Sequence, residues 1–186
     1  MARSQKTIQM AEIALMSAVL CIVSPVSVPV PMSPVPFSLS LFAVFLTAVI
    51  LGAKHSAACV LLYLLLGMAG LPVFSGFSGG IGVLLGPTGG YLMGYLPCVL
   101  ITGRIANTKK RNKKSLQTVG AMMFGTLACY FFGTVWFLIV MDGSYSIVQA
   151  LLVCVAPYLI FDMIKIVAAA AVALPIKKML RRIEQQ

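Results

Sequence analysis

Charge is what this chain has least of. Of its 186 residues only 10% are charged, four are acidic and one is histidine, whereas 60% are hydrophobic. A soluble domain averages about 25% charged residues, so a chain this poor in charge cannot cover a water-facing surface, and a mean hydropathy of +1.02 agrees. The composition is that of an integral membrane protein. No G-x-x-x-x-G-K-[ST] phosphate loop occurs anywhere, which excludes ATP hydrolysis by that route. The five cysteines, Cys21, Cys59, Cys98, Cys129 and Cys154, are widely spaced in apolar stretches. That spacing suits neither a disulfide framework nor a metal site, and they read as small buried hydrophobes.

What charge there is lies in a pattern. The net charge of +10 from fourteen Lys and Arg residues invites a nucleic-acid reading until their places are noted. Six apolar spans can be drawn at 8–24, 37–52, 56–71, 87–103, 116–141 and 157–177, several near the short limit of about 17 residues for a spanning helix. Arg3 and Lys6 precede the first span, Lys54 sits between the second and third, and Arg104, Lys109, Lys110, Arg111, Lys113 and Lys114 sit between the fourth and fifth. Lys177, Lys178, Arg181 and Arg182 follow the sixth, and the other three connections hold no base at all. With six crossings, thirteen of the fourteen bases fall on one side. The positive-inside rule makes that side cytoplasmic, with both termini on it. The start of the chain resembles a signal peptide, but Glu12 interrupts its apolar run and "SPVSVPV" offers no cleavage site, so a retained first span is expected.

The one exceptional base is Lys165, in "PYLIFDMIK". A single helix from Ser144 to Ile176 would run about 50 Å at 1.5 Å per residue, against a hydrocarbon core of about 30 Å. Pro157 offers the break, because proline suits the first helical position and costs about 3 kcal/mol inside a helix. Residues 146–155 then form a short outer piece, and Asp162 and Lys165 fall in the first two turns of the last span, near its outer end. At i and i+3 they share one helix face. Two readings stand together: mutual neutralisation or a snorkelling lysine, and a polar floor for a ligand.

Two outer connections are chemically unusual. "PVSVPVPMSPVPF" carries five of the ten prolines and no charge; that density denies helix and favours an extended chain, either a stiff turn or a cover for a ligand. The stretch from Gly67 to Gly94 carries ten of the sixteen glycines. Exposed backbone at membrane depth is tolerated where it lines a cavity, and small residues also allow close helix packing; both readings remain open here. Within it, "GFSGG" satisfies the G-x-S-x-G pattern of serine hydrolases. A nucleophilic serine needs a base within reach, and His55, beside Lys54, belongs to the opposite side from Ser78. On the first span, "ALMSA" sets Ala14 and Ala18 four apart, a small-xxx-small face.

With these segments in hand, the chain resembles the BioY family, the biotin-uptake S components of energy-coupling factor (ECF) transporters. The resemblance rests on "PVPFSLSLF" at 34–42, "GLPVFSGFSGGIGVLLGPTGGYLMGY" at 70–95 and "PYLIFDMIK" at 157–165. Departures occur at Ser40, Phe77, Ile160 and Phe161. The resemblance implies an all-α, six-helix membrane subunit of the bacterial cell membrane, residues 1–186 forming one substrate-binding domain, with Gly/Pro-rich extracellular loops closing over a biotin pocket. It implies no catalytic residue, cofactor or metal. Asp162 and Lys165 would carry the polar recognition. Thr88, Gly89, Gly90, Tyr91 and Ser78 would form the wall, and Phe37 and Phe74 the apolar contacts. Ala14 and Ala18 would meet a transmembrane coupling protein carried by two ATPases. The rival readings are a proton-coupled carrier using Asp162, an S component for another vitamin, and an intramembrane protease using Ser78.

Overall fold

The computed structural model describes residues 2–29, 35–108 and 114–183. Lys109, Lys110, Arg111, Lys113 and the central residues 30–34 of the proline-rich connection lie outside them, as do the side chains of Arg3, Lys114, Arg181 and Arg182. The described chain is mostly helical, with one small hairpin and a single further bridge between Phe74 and Ser78. Its helices are α1 (Ala2–Val23), α2 (Ser40–Met68), α3 (Ile81–Leu85), α4 (Gly89–Ala106), α5 (Lys114–Val140), α6 (Ile147–Cys154) and α7 (Tyr158–Ile183). Four of them, α1, α2, α5 and α7, are long and apolar enough to cross a membrane.

The second and third expected spans are found within α2, with no loop between them. The 29-residue run is broken at one residue, Gly52, whose φ of 76° and ψ of 176° are not helical. Only glycine takes such a conformation without strain. Segments 40–51 and 53–68 are therefore separate helical pieces. The end of α4 packs onto the break: a Cβ at Gly103 would come within 2.7 Å of the Ala53 backbone.

Pro157 acts as its residue type dictates. Helix α6 ends at Cys154 and α7 begins at Tyr158. Ser146 starts α6 through a capping box, its hydroxyl accepting from the Gln149 N–H while the Gln149 side chain accepts from the Ser146 N–H. The short separate piece expected over 146–155 is thus present as a helix. Helix α7 continues through Pro175 to Ile183, beyond its expected end.

Basic residues gather at one end of the bundle. Lys54 adjoins the Gly52 break, Arg104 lies in the last turn of α4, and the Lys177 ammonium donates to the Ala106 carbonyl at 3.4 Å. At the other end the proline-rich connection makes a two-stranded antiparallel hairpin, β1 (Ser27–Val28) with β2 (Phe37–Ser38). An extended chain was expected there; its pairing was not. The Gly76 N–H donates to the Pro25 carbonyl at 3.1 Å, joining this hairpin to the glycine-rich connection.

Inside the bundle, Ser17, Thr47, Ser56 and Thr126 return their hydroxyl protons to carbonyls one turn back, at 2.6–2.9 Å. An unpaired hydroxyl in a hydrocarbon surround costs several kcal/mol, and this local bond avoids the cost. Large side chains such as Phe45, Tyr63, Phe74 and Phe137 fill the centre, and Phe131, Ile164 and Val167 face outward. Cys59, Cys98, Cys129 and Cys154 are buried and all five thiols are free, as their apolar setting implied.

Candidate functional site

The charged pair lies inside the bundle. Lys165 Nζ donates to Asp162 Oδ1 at 2.8 Å, with side chains only 7% and 5% exposed. The i, i+3 spacing on α7 makes this contact local, and burial makes it matter: the alternative of a lysine snorkelling to the surface does not occur. The other carboxylate oxygen, Oδ2, accepts from the Tyr130 hydroxyl of α5. The Lys165 ammonium sits 4.1 Å from the centre of the Phe37 ring, a cation–π arrangement. Phe37 also packs against Phe161, ring centres 4.9 Å apart. Lysine has three N–H donors, and Asp162 takes one of them, so the pair keeps hydrogen-bonding capacity.

That capacity opens into a space. A cavity of about 70 Å3 is lined by Asp162, Lys165, Tyr130, Tyr158, Ser38 and Leu41, among others. Beside it, a cavity of about 230 Å3 is bounded by Phe74, Ser75, Ser78, Val83, Thr88 and Leu92. Both share Val35, Pro36, Ser38, Tyr91 and Tyr95 as walls. They are adjoining compartments, one with a charged floor and one whose walls mix apolar side chains with six hydroxyl-bearing ones.

The sequence-derived residues fall into three groups. Asp162, Lys165, Tyr91, Thr88, Ser78 and Phe74 line one or both compartments, and Phe37 touches the Lys165 ammonium. Gly89 and Gly90, expected in the wall, are not among the residues that line either compartment. A Cβ on Gly89 would strike the Leu84 carbonyl, and one on Gly90 would strike Trp136. Both exist for close packing of α4 against its neighbours. Ala14 and Ala18 are exposed on α1 and are not among the residues that line either cavity.

Several lining residues were missed by sequence reasoning. Tyr158, Asp162 and Lys165 stand at i, i+4 and i+7, and Tyr91 and Tyr95 at i and i+4, so helical spacing from the recognised residues would have found Tyr158 and Tyr95. Tyr130 carries no such signal, because its partner is on another helix.

Ser78 has no catalytic setting. Its hydroxyl donates to the Ser75 carbonyl at 2.8 Å, and His55 follows Lys54 at the basic end. Incubation of the purified protein with a fluorophosphonate probe is expected to leave Ser78 unlabelled, read by intact-protein mass spectrometry.

Fold and site together define an integral membrane protein with a charge-floored cavity. Residues 1–182 match the BioY family, and the chain belongs to it. The biotin transporter BioY of Thermotoga maritima is 40% identical over 150 residues, covering 81% of this chain and 85% of that protein. The probable biotin transporter BioY of Pyrococcus horikoshii is 35% identical, covering 77% and 82%. Biotin transporter BioY2 of Lactococcus lactis is 35% identical, covering 82% and 81%. Among solved structures, the S-component for biotin from an ECF-type ABC transporter shares the fold with a TM-score of 0.82 at 24% identity, covering 100% of this chain and 95% of that one.

Proposed function

We infer that this chain is the biotin-binding S component of an ECF transporter, a multi-pass protein of the cell membrane. The observation that carries this reading is the BioY match over nearly the whole chain, joined to 40% identity with a biotin transporter. The chemistry of the cavity supports the same ligand. Biotin joins a ureido ring, with two N–H donors and a carbonyl, to a sulfur ring and an aliphatic chain ending in a carboxylate. Asp162 supplies acceptor oxygens and Lys165 supplies donors, while the larger compartment offers Phe74, Val83 and Leu92 to the apolar parts. The binding set is Asp162, Lys165, Tyr91, Thr88, Ser78, Phe37 and Phe74.

The finer architecture follows the same reading. The chain forms one membrane-embedded domain that crosses six times, α2 contributing two crossings through the turn at Gly52. The basic end is cytoplasmic, and the hairpin and the glycine-rich connection cap the outer mouth. Ala14 and Ala18 form the face that meets a transmembrane coupling protein, with ATP hydrolysed by two partner ATPases.

Calorimetric titration of the detergent-purified protein tests the reading: biotin should bind tightly and riboflavin and thiamine should not. Absence of biotin binding would overturn it. Uptake into vesicles that needs no ATP and stops when the proton gradient collapses would overturn the energy coupling.

The cap has a latch. The Tyr158 hydroxyl donates to the Val35 carbonyl, tying the proline-rich connection to the first turn of α7. Tyr158→Phe removes one such bond, of about 0.5–1.5 kcal/mol net. The biotin off-rate should rise several-fold, with little change in on-rate, in a labelled-biotin chase.

A further inference from the structure

The Asp162 carboxylate is held at both oxygens, and the two donors differ in kind. Lys165 reaches Oδ1 from the same helix on a flexible four-carbon stem. Tyr130 reaches Oδ2 from α5 on a rigid ring. The terminal torsion of an aspartate is broad, so a single contact from a mobile lysine does not fix the plane of the carboxylate. A second contact from a separate element does.

The place of Tyr130 is itself fixed. The preceding residue, Cys129, packs against Gly94 of α4, where a Cβ would lie 3.1 Å from the Cys129 Cα. The Tyr130 ring also forms part of the wall of the charged compartment. Its hydroxyl is spent on Asp162.

We propose that Tyr130 is the positioning residue of the ligand site: it orients Asp162, and through Asp162 it aims the Lys165 ammonium into the cavity. This rests on the reading of the cavity as the biotin site. The α5 helix thereby sets the geometry of a recognition pair that belongs wholly to α7, and the ligand meets a pre-formed floor instead of ordering one as it binds.

The test is Tyr130→Phe, which keeps the ring and removes only the hydroxyl. The ligand-free protein should lose the stability of one hydrogen bond to a charged group and still unfold cooperatively, while the biotin Kd rises about tenfold because the carboxylate is then ordered only as the ligand binds. In the Asp162→Ala background the same change should alter the Kd less than twofold, because both oxygens it could serve are gone. Competition against labelled biotin up to millimolar concentration gives both ratios even when the site is weakened. An unchanged Kd for Tyr130→Phe would overturn the proposal, as would an equal loss in both backgrounds. A Kd rise accompanied by loss of cooperative unfolding in the ligand-free protein would assign Tyr130 a structural part instead. Failure of the parent chain to bind biotin would count against the ligand assignment, which keeps the two claims separable.

Discussion

Lys165→Ala is expected to raise the biotin Kd about a hundredfold or more. The lysine is buried, bonded to Asp162 and stacked on Phe37, so its loss removes a charge-assisted donor from a dry site, an effect of about 1.5–3 kcal/mol for the hydrogen bond alone. It also leaves the Asp162 carboxylate buried without its counter-charge, and breaking a buried pair from one side costs about 3–5 kcal/mol of stability. Affinity and stability should therefore fall together. The double variant Asp162→Ala with Lys165→Ala separates them: with no stranded charge it should recover most of the melting temperature and none of the binding. Calorimetry on both variants, beside differential scanning fluorimetry without ligand, reads the two effects. A single variant that binds biotin like the parent would remove the pair from the site.

Gly90→Val should be the most damaging change outside the site. A Cβ at residue 90 would run into the Trp136 side chain and come 2.9 Å from the Phe132 carbonyl oxygen. Valine adds two methyl groups to that collision. The α4–α5 contact is the most extensive helix pairing among the described residues, and separating it enough to admit the side chain exceeds the usual overpacking penalty of about 1–3 kcal/mol. A fall in melting temperature of roughly 10 °C is expected, with aggregated material on size-exclusion chromatography. Gly82→Ala is the contrast, since a Cβ there meets nothing within 4 Å; that variant should elute and melt like the parent. Equal behaviour of the two would mean that residue 90 is not packed as described.

How far the sequence disclosed the molecule depended on whether a feature is local. The break before α7 was legible because Pro157 imposes it within its own residue, and the charged pair because i and i+3 share a face on any helix. The gathering of bases at one end was legible because hydrocarbon disfavours an unpaired charge; Lys165, paired with Asp162, is the exception. Gly52 was not: a hydropathy profile registers a weakly apolar residue between two apolar runs, whereas the turn is a matter of one positive φ. The close packing of Gly89 and Gly90 was not legible because backbone approach to a ligand and backbone approach to a helix leave the same mark in a sequence, and only the neighbours in space tell them apart. The β1–β2 pairing and the bond from Tyr130 to Asp162 join elements distant along the chain, and nothing local in either partner announces the other.

The hairpin over the cavity hangs from the same two turns of α7 that carry the floor: Tyr158 grips Val35, and Lys165 lies on Phe37. Roof and base thus share one hinge post. A displacement of that post would therefore act on both contacts together, and a substitution in those two turns of α7 reaches the cover as well as the floor.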